Sequence, residues 1–350
     1  MLQVQYAQRA AERGSSGLFL KIDGGGSGSG EEQDIIVAVV ASDNASARTT
    51  CTGNSINGNN CSENKGMYRI HDGIMAKMTG LQGDARLLSR HLLANALRMN
   101  RYEGGGVDVD VDVDVDSSKD TDGEHILQRL NNRITVKQIA HVSAEVQHSL
   151  TMRPGARPLA VDAVLFGLDG QKSRSSCTLN ANGNVNQILK LGLYRSRLTG
   201  LVEECDYCVV GNICADRLAH TDCLEELEML WSDLHSKQDA RSDSDIVQSK
   251  MPIEDNDDPQ KPKVGSHLSQ TVVKMGEVLL KCQQKQLQQQ LSNSSQEEDS
   301  DPADLPVAVD IYIMRPNVRG RGGVQISCAT CIKEQDLGYV ANLFQKETRT

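Results

Sequence analysis

Residues 80–99, GLQGDARLLSRHLLANALRM, decide how the rest of the chain is read. Leu81, Ala85, Leu88, Leu92, Ala96 and Met99 step by four, three, four, four and three, which is one face of a long helix. Just upstream, Met67–Ile74 (MYRIHDGI) alternates as a strand does, and Ile74–Thr79 carries the β character on to Gly80. A strand region therefore feeds a long amphipathic helix. Beyond it a second long helix is predicted from about Glu124 to Leu150, carried by Ile126, Leu130, Ile134, Ile139, Val142 and Val146. The two are separated by GGGVDVDVDVDVDSSKDTDG, whose period of two imitates a strand but would stack five aspartates on one face, where like charges repel. It is expected to be a disordered acidic linker.

Working outward, residues 2–13 place Leu2, Tyr6, Ala10 and Arg13 at helical spacing, with Gly14 positioned to stop the helix. Strand-like runs follow at Gly17–Ile22 and Ile35–Ala41, separated by GGGSGSGEE, a composition suited to an enlarged hairpin loop. On the far side, strands are expected at Leu159–Leu168 and near Ser176–Leu179, with Asn182-Gly183 as a turn signal. Helical patterns are read at about 192–204, 221–235 and 268–291. Val307, Val309, Ile311 and Ile313 alternate as a strand, and Gly320–Gly323 turns the chain into a last strand at Val324–Ser327. Strands, two helices, strands, helices and strands make an α+β layered domain, unlike the regular βαβ repeat of a dinucleotide fold. One domain over 1–350 is expected, with low-complexity insertions at 23–34, 103–123, 205–267 and 286–304.

Composition removes several function classes. With 37 Lys+Arg against 47 Asp+Glu the formal charge is −10, which argues against a general nucleic-acid or anionic-membrane binder. Seven Tyr, three Phe and one Trp are too few for a single-strand stacking platform. No run approaches the roughly 18 apolar residues of a membrane span. Ten cysteines in 350 residues are too dilute for a disulfide scaffold, so reduced thiols and an intracellular, soluble protein are expected.

Several stretches together resemble one family. Gln3-Val4-Gln5-Tyr6-Ala7, with Ala10 and then Arg13-Gly14-Ser15-Ser16, is similar to the α-type signature QVEYAxxA and its RGST continuation, Gln5 standing for the usual glutamate. Met67–Ile74 resembles IFxIDDHI. Residues 80–88, GLQGDARLL, resemble GLxADARxL, and Arg157-Pro158-Leu159-Ala160-Val161 through Gly167-Leu168-Asp169 resembles RPxGVSxLxxGxD. Asn180-Ala181-Asn182-Gly183 stands where DPSG is usual, and Thr271–Gly276 is similar to a later family helix. The chain thus resembles an α-type subunit of the proteasome core particle over most of 2–204 and 268–345. The resemblance implies a four-layer α/β/β/α sandwich of the N-terminal nucleophile hydrolase type. It further implies a ring subunit that partners other α subunits, β subunits and regulatory caps in the cytoplasm and nucleus, with no nucleic acid, membrane or cofactor. Gln3, Val4, Tyr6 and Ala7 would act in ring assembly. Gly80, Asp84, Arg86, Arg157, Gly167 and Asp169 would be structural motif residues.

Catalytic relatives use an N-terminal threonine, its own α-amine as base, and a lysine. Here Ser15-Ser16 follow a helix, so no free amine is expected, and Gly66 takes the lysine position with Lys65 one place earlier. Lys65 becomes the candidate for a pocket that receives an activator's C-terminal carboxylate, and the mid-chain pair Thr49-Thr50 is the other candidate nucleophile. An inert subunit is the expectation. The alternatives are an autoprocessed Thr/Ser hydrolase of the same fold and a divergent interaction protein that keeps the fold.

Other chemistries are weaker. Cys205-x2-Cys208, Cys214, Cys223 and Cys328-x2-Cys331 have zinc-like local spacing but an irregular four-ligand set, so incidental thiols are expected. Asp120-x-Asp122-Gly123-Glu124 lacks the register of a calcium loop. Arg319–Gly323 reads as a hairpin turn, His71 and His141 as structural histidines, and Trp231 as a helix core contact.

Overall fold

The helix read from residue 81 is α2, Gln82–Gly104, and the strand region before it is a hairpin of β3, Met67–His71, and β4, Ile74–Gly80. They belong to a computed structural model that describes residues 2–23, 34–42, 66–104, 134–171, 189–248, 265–293, 308–317, 323–331 and 337. Before the hairpin come α1, Leu2–Glu12, β1, Gly17–Ile22, and β2, Ile35–Ser42. After α2 follow α3, Val136–Met152, β5, Val161–Gln171, β6, Leu189–Ser196, β7, Val202–Glu204, and β8, Tyr207–Val210. A 3₁₀ turn, Asn212–Ala215, leads into α4, Arg217–Gln248, then α5, Gly265–Asn293, β9, Ala308–Asn317, and β10, Gly323–Cys331. Among the described residues the protein is α+β, with five α-helices and two five-stranded antiparallel sheets.

Two compact units share the chain. The first takes residues 1–10, 66–205 and 315–325, and the second takes 11–65, 206–314 and 326–350. In the first unit the sheet order is β3-β4-β5-β6-β7. Ile74, Ala76 and Met78 on β4 and Ala163 and Leu165 on β5 pack against Leu88 and Leu92 of α2 and Ile139 and Ala140 of α3. Gly167 lies opposite Ile74, and a Cβ there would fall 2.1 Å from the Gly73 carbonyl oxygen, so only glycine lets β5 pass the β3–β4 turn. Helix α3 opens with a capping box: Thr135 Oγ1 accepts from the Gln138 amide at 3.2 Å, and Gln138 Oε1 accepts from the Thr135 amide at 2.8 Å. It is tied to its sheet by Gln147, which donates to the Val161 carbonyl at 2.9 Å and accepts from the Ser196 hydroxyl at 2.6 Å.

In the second unit the order is β10-β9-β2-β1-β8. Strands β1 and β2 pair from Gly17 with Val40 to Ile22 with Ile35, as their β-rich runs predict. Leu18, Leu20, Val37, Val39, Val309 and Ile311 form one apolar face, covered by Leu227 of α4 and Val272, Met275 and Leu279 of α5.

Four expectations change. The helix read at 192–204 is instead β6, a turn and β7: Leu191, Tyr194, Leu198 and Val202 mimic helical spacing, but Tyr194 pairs with Leu165 and Glu204, and the Gly200 amide donates to Arg197 O at 2.8 Å. The insertion read at 205–267 contains sheet and core, because β8 pairs with β1 and Cys223, Leu227 and Leu230 of α4 are buried in the apolar cluster. The helix read from Glu124 starts at Val136, where the capping box sets it, and Ile134 is buried just ahead of it. The insertion read at 286–304 begins inside α5, which runs to Asn293. Thr49-Thr50, Lys65, the acidic stretch 105–123, Ser176–Leu179 and Asn180–Gly183 lie outside the described residues.

Candidate functional site

Asp84 occupies the first turn of α2, where a carboxylate meets the positive end of the helix dipole. Its side chain is 5% exposed, and Arg157, 63% exposed, closes over it. Arg157 Nη1 donates to Oδ2 at 2.7 Å and Nη2 donates to Oδ1 at 2.5 Å, a two-pronged contact. The Ala160 amide donates to the same Oδ2 at 3.0 Å, and the Leu81 amide donates to the Ala160 carbonyl at 3.0 Å. Burial works against the charge on Asp84, but the Arg157 guanidinium and the Ala160 amide outweigh it and hold the carboxyl below the usual carboxylate range. The stretches around 80–88 and 157–161 are thus fastened to each other through one carboxylate.

Ala160, held on both sides, is also a seat. Ala7, Ala160 and Leu198 form a small buried cluster, against which Val4 and Ala10 pack. Val4, Ala7 and Ala10 are three apart and share one face of α1, so small side chains let the helix lie close to its support. The rest of α1 faces outward: Gln3 is exposed, Leu2 is 69% exposed and Tyr6 66% exposed. Leu2 and Tyr6 are four residues apart on one turn, so a helix anchored from below displays two large apolar side chains.

The remaining motif residues divide. Gly80 ends β4 opposite Val161 with a φ of +123°, a backbone state that favours glycine. Gly167 is the close-approach glycine already described. Asp169 accepts from the Tyr194 hydroxyl at 2.9 Å and lies 3.8 Å from the Lys190 ammonium, and Tyr194 is pushed up by burial and then by Asp169. Arg86, in contrast, is exposed and takes no part in the contacts of Asp84.

Ser16, one of the candidate nucleophiles, is 3% exposed. Its hydroxyl accepts from the Ile213 amide at 3.3 Å and its carbonyl accepts from the Ala41 amide at 2.9 Å. The residue is a splice between the start of β1 and the 3₁₀ turn. Gly66, where the resemblance to catalytic members would place a lysine, has a φ of +100°, and its carbonyl accepts from the Met78 amide at 2.7 Å. A lysine that sequence reading passed over lies close by. Lys77, within the apolar run IMAKMTG, is 1% exposed, and its ammonium is 3.1 Å from where a Cβ on Gly66 would be. The one charged residue in that run is the signal that could have found it.

No family model matches the chain. No curated protein matches it either. Among the described residues no group of three or more His, Cys, Asp and Glu is placed to hold a metal ion, and no helix is long and apolar enough to cross a membrane. What the geometry supplies is a short helix seated on a small apolar cluster, whose exposed side carries Leu2 and Tyr6 among the polar Gln3, Gln5, Gln8 and Arg9.

Proposed function

We propose that the chain is a non-catalytic structural subunit of the α-ring of a proteasome core particle, supporting ring assembly, substrate entry and the docking of regulatory caps. The observation that carries this reading is the convergence of three separated motif stretches. The Asp84 and Arg157 stretches fasten to each other and together hold Ala160 beneath the QVQYA helix, whose Tyr6 and Leu2 remain uncovered in the single chain. A neighbouring subunit is the natural cover for them. Two five-stranded antiparallel sheets, each with two helices packed on one face, are compatible with the four-layer sandwich of the N-terminal nucleophile hydrolase type. The engagement of the Ser16 hydroxyl by a backbone amide supports a silent subunit over an autoprocessed hydrolase. Partners under this reading are other α subunits, β subunits and caps, with Lys65 the candidate receptor for a cap's terminal carboxylate.

The test is native-gel migration of the tagged chain expressed in its own cells. The expected result is co-migration with the core particle, reduced by Tyr6→Ala, with the intact mass showing no loss of the residues before Ser15. A free monomer that never enters the particle overturns the assignment. A processed N-terminus at Ser15, Ser16 or Thr50 would instead support the hydrolase. Lys65→Ala is expected to weaken cap binding while leaving assembly unchanged.

A further inference from the structure

We infer that Cys223 and Cys282 form a dithiol site that a hydroperoxide oxidises to an intramolecular disulfide, stapling α4 to α5. The two thiols face each other across the contact between these helices, with Sγ atoms 2.9 Å apart. A disulfide bond is about 2.05 Å long, so roughly 0.9 Å of closure separates the contact from the bond. Both residues belong to the apolar cluster beneath β1 and β2, so their positions are set by packing. Cys205 and Cys214 differ, since their thiols meet backbone carbonyls, Glu203 at 3.6 Å and Val209 at 3.3 Å.

The pair is asymmetric in the way a reacting pair needs. Cys223 is fully buried, whereas Cys282 retains 7% exposure and is flanked by the exposed Lys281 and Lys285. Either sulfur can be the donor in their hydrogen bond; that bond and, after it, the Lys285 charge favour the thiolate of Cys282 against burial, while the same bond and burial push Cys223 up. Residual exposure and the neighbouring lysines make Cys282 the attacking thiolate and the fully buried Cys223 the resolving thiol. The Cys282 thiolate attacks one peroxide oxygen, the O–O bond breaks, and the departing oxyanion takes up a proton, leaving a sulfenic acid. Cys223 then attacks that sulfur, the S–S bond forms, and the hydroxyl leaves as water with the Cys223 proton. Two thiols lose two electrons and the peroxide gains them. The bridge would join positions 59 apart in sequence, a long loop whose closure restricts the unfolded chain.

The test uses the full chain, hydrogen peroxide as oxidant, alkylation without reductant, and peptide mapping by mass spectrometry, with the exposed Cys328 as an internal gauge of dose. The expected result is a Cys223–Cys282 cross-linked peptide at doses that modify Cys328 no faster, together with a rise in Tm of about 5 °C that dithiothreitol reverses. In Cys223→Ser the expected product is a dimedone-reactive sulfenic acid on Cys282. Oxidation of Cys328 with no cross-linked peptide in the unmodified chain overturns the inference, and that arm needs no variant to fold. A sulfenic acid trapped on Cys223 in Cys282→Ser, at the rate seen for Cys282, overturns the assigned order.

Discussion

Two half-buried ion clusters, one in each unit, are opposites in sign. In the first unit the carboxylate of Asp84 is inside and the guanidinium of Arg157 is outside. In the second the Lys21 side chain is 7% exposed, against 38% for that of Asp23, 3.0 Å from its ammonium, and 48% for that of Asp206, 3.9 Å from it. The difference lies in what each buried charge is tied to. Asp84 accepts a backbone amide as well as Arg157, so its loss strands a buried donor and loosens the seat of α1. Lys21 sits on a strand already held by its ladder, its amide donating to the Asp206 carbonyl at 2.7 Å, and its long stem contributes packing whether or not the tip is charged. One cluster positions backbone; the other neutralises a buried tip.

The comparison is broken most directly at Asp84. Asp84→Ala is expected to cost about 3 kcal/mol in denaturant unfolding and, under the proposed function, to lower ring incorporation with it. Lys21→Met, which keeps the stem, is expected to cost about 1 kcal/mol. Equal losses would show that the ladder around β1 does not hold without the ion cluster.

Acid and alkali separate the two by sign. The folded carboxyl of Asp84 sits below its unfolded value, so its contribution is present above about pH 3.9 and disappears as pH falls through the folded value. For Lys21, burial pulls the ammonium down but Asp23, Asp206 and Asp34 pull it up by more. Its contribution is therefore present below about pH 10.4 and disappears as pH rises through the folded value. Stability measured against pH should lose part of its acid slope in Asp84→Asn and part of its alkaline slope in Lys21→Met, with neither variant changing the other limb.

Smaller effects sharpen the picture. Arg157→Lys retains the charge and loses the two-pronged geometry at an exposed site, for which about 0.5–1 kcal/mol is expected by the same unfolding assay. Tyr6→Ala removes an exposed ring and should stay within about 0.5 kcal/mol of the parent. Under the proposed function it nevertheless lowers ring incorporation. A stability loss comparable to that of Asp84→Ala would mean that Tyr6 supports the fold itself.

Much of the architecture was legible because long periodic segments leave little choice: α1, α2, α5, the β1–β2 pair and β9 lie close to where apolar spacing puts them. Short segments were not. In LGLYRSRLTGLVEE the same leucines satisfy a period of two and a period near four, and only pairing with β5 resolves the ambiguity. The start of α3 was available in Thr135-x-x-Gln138, a capping pattern overlooked because apolar residues continue the helical spacing upstream of it. At the candidate site the motif strings located Asp84 and Arg157, but no pattern could show that they share a hydrogen-bonded backbone with Ala160, since residues 84 and 160 are joined only through the fold. The Gln147 bridge was invisible for the same reason.

The place of β9 in its sheet has a consequence for how the chain is made. It lies between β2 and β10, so the edge of β2, with its run Ile35–Val40, stays without its neighbour until residues 308–317 have been synthesised. During translation that edge is a template for pairing with other nascent chains. A contact bridging about 270 positions also has a large loop-closure cost, which slows folding even where the finished sheet is stable. The protein is therefore expected to depend on a holding chaperone during synthesis, and fragments ending before Ala308 should aggregate however well their other elements are formed.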